Sequence, residues 1–197
     1  MRVTVFDYGA GNLHSLVKAL ATFRTEILVE PDPVAAVETD VLVLPGVGAF
    51  ASAAARLAPG AATVRQALAD GLPCLGVCLG MQLMFDGSEE GAGRGLGIFA
   101  GRVRRLRASR VPQMGWNSLD DAEDATIRKS GLREGYYANS FVCAPADERC
   151  VVAWSTHETD RFPAAVRAGK VLGVQFHPEK SSQPGVRMLH EFLREVC

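Results

Sequence analysis

Short apolar runs that alternate with amphipathic segments form the main hydrophobic pattern of the chain. Val41-Leu42-Val43-Leu44 is apolar at every position, as in a strand that is buried on both faces of a parallel sheet. Between such runs, apolar residues recur at helical spacing. This alternation predicts a three-layer α/β fold with a mostly parallel central sheet. The first half is predicted to form strands over about 2–6, 26–29, 41–44 and 72–77, and helices over about 13–23, 50–57, 63–70 and after 78.

The second half repeats the pattern with longer polar connections. Asp86 to Gly97 is rich in glycine and acidic residues and predicts a loop. Basic and apolar side chains alternate from Gly101 to Arg107, which a half-exposed strand explains without nucleic acid. Val171 to Phe176 predicts another buried strand, and a helix is expected at about Val186 to Val196.

Composition limits the classes of protein to consider. With 197 residues and 48% hydrophobic content, the chain is expected to form one domain over residues 1–197. A net charge of −1 gives no electrostatic footprint for nucleic acid. No apolar run has membrane-spanning length, and Met1 to Phe6 enters a strand pattern without a signal peptide, so a cytoplasmic protein is expected. The five cysteines lack the spacing of a disulfide framework or a zinc site, and no metal is predicted.

The segment Gly76-Val77-Cys78-Leu79-Gly80 is predicted to be a sharp turn from strand to helix. Larger side chains at the two glycines would collide with the neighbouring strand and helix. The helix dipole then favours the thiolate of Cys78, and the backbone N–H of Leu79 points to the place where an oxyanion forms. An ordinary buried cysteine explains this segment about equally well, so a general base elsewhere has to decide.

A candidate base follows the strand near the carboxyl end, in Gln175-Phe176-His177-Pro178-Glu179. Pro178 fixes the backbone after His177, and Glu179 is close enough to orient the imidazole. Nucleophile, base and orienting carboxylate are the three roles of a catalytic triad. A histidine beside proline is more often a turn residue, but together with the cysteine turn it predicts a Cys78–His177–Glu179 triad.

These two segments resemble the signatures of the class I (triad) glutamine amidotransferases. Further motifs resemble those of one branch, the glutaminase subunits of imidazole glycerol phosphate synthase. The matching motifs are Asp7-Tyr8-Gly9-Ala10-Gly11-Asn12-Leu13, Pro45-Gly46-Val47-Gly48-Ala49-Phe50, Val111-Pro112-Gln113-Met114-Gly115-Trp116-Asn117 and His177-Pro178-Glu179-Lys180-Ser181-Ser182. The resemblance extends over the whole chain.

The resemblance implies roles for residues outside the triad. Val47 is expected to supply the second oxyanion-hole N–H beside Leu79, and Gly46 and Gly48 to let that peptide flip. Residues expected at the glutamine site are Gly46, Gly48, Gln82, Glu90, Ser140 and Phe141. Residues expected at the interface with a partner are Asn12, Trp116, Tyr136 and Lys180. The sequence departs from the family at Gln113 and Asn139, where histidine is usual, and at Phe141, where tyrosine is usual.

The resemblance further implies that the chain hydrolyses glutamine through a cysteine thioester, without a cofactor. It implies a heterodimer with the cyclase subunit, which would use the ammonia to make imidazole glycerol phosphate and aminoimidazole carboxamide ribotide in histidine biosynthesis. We expect the isolated chain to be nearly silent. Two alternatives are an amidotransferase of another pathway, such as pyridoxal phosphate or anthranilate synthesis, and a non-catalytic subunit that only docks on the synthase.

Overall fold

The computed structural model describes residues 1–9, 11, 13–22, 24–46 and 48–196, and all structural statements below concern these residues. In the first half, the elements in chain order are β1 (Arg2–Phe6), α1 (His14–Leu20), β2 (Glu26–Glu30), β3 (Val41–Leu44), α2 (Phe50–Leu57), α3 (Ala61–Ala69), β4 (Cys74–Val77) and α4 (Leu79–Leu83).

In the second half they are β5 (Gly87–Ser88), β6 (Gly101–Arg105), β7 (Gln113–Ser118), α5 (Ala125–Ser130), β8 (Glu134–Asn139), β9 (Phe141–Pro145), β10 (Val151–His157), β11 (Asp160–Ala168), β12 (Val171–Val174) and α6 (Ser182–Val196). A 3₁₀ turn, Pro178–Lys180, connects β12 to α6.

The central sheet has the strand order β10-β11-β12-β4-β3-β1-β2 over the described residues. The pairs from β12 to β2 are parallel, whereas β10 and β11 form an antiparallel extension. The predicted fold class, an α/β fold with a mostly parallel sheet, is confirmed. Because parallel strands end at the same edge, the residues that follow β3, β4 and β12 are brought together there.

Helices cover both faces of the sheet and make the three layers. On one face, α1 and α6 contribute Leu20, Leu189 and Phe192 to an apolar cluster. On the other face, α2 and α3 contribute Phe50 and Val64 to a second cluster. Every residue of β3, β4 and β12 is buried, which is why their sequences lack polar side chains.

Most predicted elements form, and three of their boundaries differ. The last helix begins at Ser182 instead of about Val186, because Pro184 falls in its first turn, where a missing N–H removes no helical hydrogen bond. The buried strand ends at Val174, two residues before the predicted end. The predicted loop over 86–97 contains the short strand β5, which pairs with β6.

Two further strands, β7 and β8, pair antiparallel beside β10. The segment that joins them contains α5, and we call the two paired strands the hairpin. On its inner face, Tyr137 contacts Phe162 and Phe176 in edge-on geometry. On its outer face, Met114 and Trp116 are exposed, with Trp116 at 53%. The hairpin therefore has apolar side chains on both faces, buried on the inner face and exposed on the outer face. Over the described residues, no helix combines the length and apolar character needed to cross a membrane.

Candidate active site

Cys78 occupies the corner between β4 and α4 in a backbone conformation that is uncommon for a residue with a side chain. Its φ is 48° and its ψ is −104°. The corner is held by a hydrogen bond from the Cys78 N–H to the Val174 carbonyl, at 2.7 Å. Such strain persists only where the surroundings enforce it, and it places the thiol at the amino-terminal end of α4.

The two flanking glycines allow α4 to approach the sheet closely. A Cβ at Gly80 would lie 1.9 Å from the carbonyl oxygen of Leu44 in β3. A Cβ at Gly76 would lie 2.8 Å from the backbone of Gly80. Neither contact leaves room for a methyl group, so glycine is required at both positions if the corner is to keep its shape.

His177 reaches Cys78 because β12 lies directly beside β4. The two strands are parallel, with Val174 paired to Val77, so both chains leave the sheet at the same edge. The imidazole lies beside the cysteine, since a Cβ on Gly46 would lie 2.9 Å from Cε1 of His177 and 3.0 Å from Cβ of Cys78. Its Nδ1 lies 2.8 Å from Oε1 of Glu179. The structure therefore brings the three residues predicted as a triad together, with His177 in contact range of both others.

The environment of His177 favours its protonated form. Burial lowers the pKa of the imidazole, but the hydrogen bonds to Cys78 and Glu179, and the charges of these two groups, outweigh burial and raise it to about 9. An imidazolium that is positioned by a carboxylate has a proton to give.

The backbone of His177 is fixed by the hairpin and by a serine. The His177 N–H donates to the Tyr136 carbonyl at 2.8 Å. The Ser181 hydroxyl donates to the His177 carbonyl at 2.7 Å and accepts from the Tyr136 N–H at 2.9 Å. Ser181 was not predicted as a functional residue. The sequence gives no sign of this role beyond the position of Ser181 in the His-Pro-Glu-Lys-Ser motif.

The loop after β3 borders the site on a third side, beside the residues that follow β4 and β12. A Cβ on Gly46 would lie 2.9 Å from Cε1 of His177 and 3.0 Å from Cβ of Cys78, so the Gly46 backbone borders both side chains. Gly48 has a φ of 105°, which glycine alone adopts readily. Val47, predicted to supply an oxyanion donor, lies outside the described residues. Leu79 is the first residue of α4, so its N–H belongs to the unpaired first turn.

The residues predicted to bind glutamine lie around this edge. The Gln82 amide donates to the carbonyl of Phe141 at 3.0 Å, which brings α4 against the link between β8 and β9 that contains Ser140. Oε2 of Glu90 accepts from the Phe50 N–H at 3.0 Å, at the start of α2. Glu90 is thus held at the far end of the Gly46–Gly48 loop.

Gln175 belongs to the motif that contains His177 and Glu179, but the sequence predicts no role for it. Its Nε2 lies 3.5 Å from the sulfur of Cys78, on a fully buried side chain. Its Oε1 accepts from Nε2 of Gln82 at 3.3 Å. The only signal in the sequence is alternation, since Gln175 and His177 are two residues apart where the strand ends.

Two positions that depart from the family pattern face each other across the hairpin. Gln113 and Asn139 are direct cross-strand partners, and both are buried. The Asn139 amide donates to the Phe141 carbonyl at 3.1 Å, the same oxygen that Gln82 reaches. Asn139 is thus separate from the triad but shares an acceptor with Gln82.

The predicted interface residues are distributed around the hairpin. Trp116 and Tyr136 are cross-strand partners whose rings meet edge to face, with centroids 6.1 Å apart. Together with exposed Met114 they form a surface that we call the aromatic patch (Met114, Trp116 and Tyr136). Lys180, directly after Glu179, is exposed. Asn12 lies outside the described residues.

Two other buried cysteines differ from Cys78. Cys74 and Cys143 are fully buried, and burial raises the pKa of both thiols well above the usual value. Over the described residues, no group of three or more histidine, cysteine, aspartate or glutamate side chains has the arrangement of a metal site.

Comparison with known families and proteins places the chain. The model of the family described as glutamine amidotransferase class-I matches residues 4–196. The chain belongs to this family. As a class I glutamine amidotransferase it is an enzyme, which confirms the enzyme class and the family resemblance predicted from the motifs.

Relatives within the class I amidotransferases narrow the resemblance. The chain is 40% identical to the imidazole glycerol phosphate synthase subunit HisH of Synechococcus sp. (strain JA-3-3Ab), covering 100% of this chain and 95% of that protein. It is 38% identical to the subunit of the same name from Pyrococcus furiosus, covering 98% of both.

Solved structures support the fold. A crystal structure titled glutamine amidotransferase superposes with a TM-score of 0.75 at 22% identity and covers 98% of both chains. PurLQS from Thermotoga maritima gives a TM-score of 0.72 at 20% identity, covering 100% of this chain and 99% of that one. At such identities the likeness concerns the fold alone.

Proposed function

We propose that this class I amidotransferase is the glutaminase subunit of imidazole glycerol phosphate synthase, acting in histidine biosynthesis. The whole-length identity to HisH subunits supports this pathway over that of another amidotransferase. The single observation that supports catalysis over docking alone is the placement of His177 beside Cys78 and in hydrogen-bond contact with Glu179.

The first half of the proposed reaction uses the charged pair. The Cys78 thiolate attacks the side-chain carboxamide carbon of glutamine, and the oxygen takes up the negative charge. The N–H of Leu79, and by family resemblance that of Val47, stabilise this oxyanion. The tetrahedral intermediate then breaks its C–N bond, and His177 protonates the leaving nitrogen, so that ammonia and a glutamyl thioester form.

The second half restores the enzyme. Neutral His177 accepts a proton from a water molecule, whose oxygen attacks the thioester carbonyl. The C–S bond breaks, glutamate leaves and the thiolate–imidazolium pair is restored. The sum is glutamine plus water to glutamate plus ammonia. Glu179 keeps the proton-bearing Nδ1 of His177 fixed through both halves.

Substrate recognition is assigned to the groups around the thiol. Gly46 and Gly48 leave space for the carboxamide, and the polar wall comprises Gln82, Ser140 and Phe141. The carboxylate of Glu90 is suited to pair with the ammonium group of glutamine. The backbone N–H that Glu90 accepts, at the start of α2, fixes the position of that carboxylate.

Delivery of ammonia requires a partner. Ammonia released into neutral water becomes mostly ammonium, which has no lone pair with which to attack. We assign the partner surface to the aromatic patch together with Lys180, to which the family resemblance adds Asn12, and the partner to the cyclase subunit in a heterodimer. The patch adjoins the site, since the Tyr136 carbonyl accepts from the His177 backbone. Aromatic side chains are typical anchors of protein interfaces.

Domain organisation and location complete the proposal. We assign residues 1–197 to one amidotransferase domain and place the protein in the cytoplasm, where glutamine and the cyclase would be available. Both remain predictions from the sequence.

The test measures glutamate release from glutamine with and without the cyclase subunit and its nucleotide substrate. We expect turnover only in the complete mixture, and none with Cys78→Ala. Cys150→Ala is the matched control, since that thiol is half-buried and lies away from the site. Turnover that ignores the cyclase would contradict the pathway, and a Cys78→Ala variant with full turnover would contradict the triad.

A further inference from the structure

Among the described residues, Gln175 is the one neutral side chain in hydrogen-bond contact with the sulfur of Cys78. It emerges directly after β12, and its backbone N–H donates to the Ala164 carbonyl at 2.9 Å, so the base of the side chain is fixed by the sheet. The side chain is fully buried. A buried amide needs partners for both ends, and Gln175 finds one in Cys78 and the other in Gln82.

The orientation of the Gln175 amide follows from its neighbours. Nε2 of Gln82 lies 3.0 Å from the Phe141 carbonyl oxygen, which can only accept, so the NH₂ group of Gln82 must be on that side. The same NH₂ group lies 3.3 Å from Gln175, which therefore presents its oxygen. The NH₂ group of Gln175 is consequently left facing the sulfur. Turning the Gln82 amide round would bring two acceptors together, and turning the Gln175 amide round would bring two NH₂ groups together.

We propose that Gln175 is a further residue of the catalytic machinery, which stabilises the Cys78 thiolate by donating an N–H to it. Gln82 acts through Gln175 as a positioning residue. The thiolate thus lies between two donors, the His177 imidazolium and the Gln175 amide, and the amide remains a donor at every pH. A thiol in the same place loses this donor advantage, because neutral sulfur is a weak acceptor. The consequence for glutamine hydrolysis rests on the proposed role of Cys78, whereas the effect on the thiol does not.

The arrangement also has a directional consequence. With an N–H aimed at the sulfur from the Gln175 side, the thiol proton has no acceptor there. It is directed to His177, which is where the mechanism needs it. Gln175 therefore directs the thiol proton of Cys78 toward His177 and also stabilises the negative charge left on the sulfur.

The first test follows alkylation of Cys78 by iodoacetamide against pH in the chain alone, with modification of this residue read by peptide mass spectrometry. The midpoint reports the Cys78–His177 pair. Gln175→Met removes the donor at similar length, and we expect the midpoint to rise by about one unit, which makes alkylation at lower pH about tenfold slower. Gln175→Glu replaces the donor with a negative oxygen and should raise the midpoint further.

The matched control is Gln113→Met, the same substitution at another buried glutamine, which is on the hairpin. Its alkylation profile should coincide with that of the wild type. Folded Gln175→Met protein with an unchanged midpoint would overturn the proposal. An equal rise in Gln113→Met would also overturn it, because the effect would then come from loosened packing.

A second measurement needs no variant and decides the matter if Gln175→Met does not fold. In ¹⁵N-labelled wild-type protein, the side-chain NH₂ protons of Gln175 should shift with the midpoint found by alkylation, while those of Gln113 stay constant. Resonances of Gln175 that do not move across that midpoint would refute the hydrogen bond. Neither readout needs glutamine or a cyclase, so failure here is distinct from failure of the proposed function.

Discussion

The cysteine corner and the β7–β8 hairpin lie on either side of His177 and are built in opposite ways. At the corner, backbone atoms are so close that a methyl group on Gly80 would lie 1.9 Å from a carbonyl oxygen. On the outer face of the hairpin, about half of the Trp116 side chain is exposed, and its ring meets that of Tyr136 edge to face. Contacts within the chain determine the shape of the corner, whereas the outer face of the hairpin leaves apolar surface exposed.

The difference separates two requirements of the proposed function. Activation of the thiol demands fixed geometry, because an imidazole and a sulfur must stay within hydrogen-bond reach. Association with a partner demands exposed apolar surface before binding. The link between the two regions is short, since Tyr136 belongs to the aromatic patch and its backbone bonds with His177.

The largest effect is expected from Gly80→Ala, which breaks the corner. The added methyl group must displace α4 from β3, so we expect a loss of about 3 kcal/mol or more in the free energy of unfolding. Activity and rapid alkylation of Cys78 should vanish together. Urea unfolding and peptide mass spectrometry measure the two losses.

Gly87→Ala is the control for that substitution, because the nearest atom to its Cβ is the flexible end of Arg102, at 3.4 Å. A Gly80→Ala protein as stable as Gly87→Ala would show that the corner is far more adaptable than the contacts indicate.

Glu179→Gln tests the chemistry with the corner intact. We expect glutamine turnover to fall by about 10²–10⁴-fold, because the imidazole loses its orienting charge. The free energy of unfolding near neutral pH should fall as well, because the raised pKa of His177 stabilises the folded state there. The pKa of His177 should fall from about 9 toward the ordinary 6.5. Imidazole resonances followed by NMR across this range give the pKa directly.

The same shift has a defined sign for stability. Because the folded state raises the pKa of His177, its contribution to stability is fully present below about pH 6.5 and is lost as the pH rises through about 9. Activity of the wild type should decline on the alkaline side through the same value, since the general acid is then deprotonated. An alkaline limb that Glu179→Gln leaves in place would argue against His177 as that acid.

Trp116→Ala tests the hairpin side alone. On the proposed function, the partner's dissociation constant should rise about 30-fold, the effect of removing an aromatic anchor worth about 2 kcal/mol. Alkylation of Cys78 and the unfolding free energy should be unchanged. Leu28→Ala is the control, since Leu28 is also exposed but lies on β2 at the far edge of the sheet. Equal effects of both variants on affinity would rule out the aromatic patch as the binding surface.

The smallest effects are expected from the hydroxyl groups of two neighbouring tyrosines in the hairpin, one on each face. Tyr137→Phe removes the hydroxyl that bonds Ser155 Oγ at 2.6 Å and should reduce the unfolding free energy by about 1 kcal/mol, without changing partner affinity. Tyr136→Phe, on the outer face, should change stability by less than about 0.5 kcal/mol. Denaturant midpoints that reverse this order would contradict the assignment of the two faces.

The sequence predicts the parts of this molecule whose cause is local or periodic. The unbroken apolar run from Val41 to Leu44 predicts a buried strand, and the spacing of Gly76 and Gly80 around Cys78 predicts the sharp corner. The residue types predict that Cys78, His177 and Glu179 act together, and the family resemblance supports this prediction. Their proximity depends on the pairing of β12 with β4, two strands far apart in the sequence.

What the sequence could not predict depends on the direction of side chains at long range. Gln175 and Gln82 are ordinary glutamines in the sequence, and only the packed structure aligns their amides behind the sulfur. Ser181 likewise gains its role from the position of Tyr136. The early start of the last helix, before Pro184, also escaped prediction, because proline usually signals a break rather than a first turn.

The pairing of β12 with β4 has a consequence for synthesis in the cell. The nucleophile is translated long before the base, and the strand that carries His177 to the sheet edge comes near the end of the chain. A nascent chain that has emerged only through α4 has its cysteine but neither the imidazole nor the Gln175 amide to hold the thiolate. On the proposed function, glutamine hydrolysis therefore begins only once the central strands are complete, and a partly made chain does not consume glutamine.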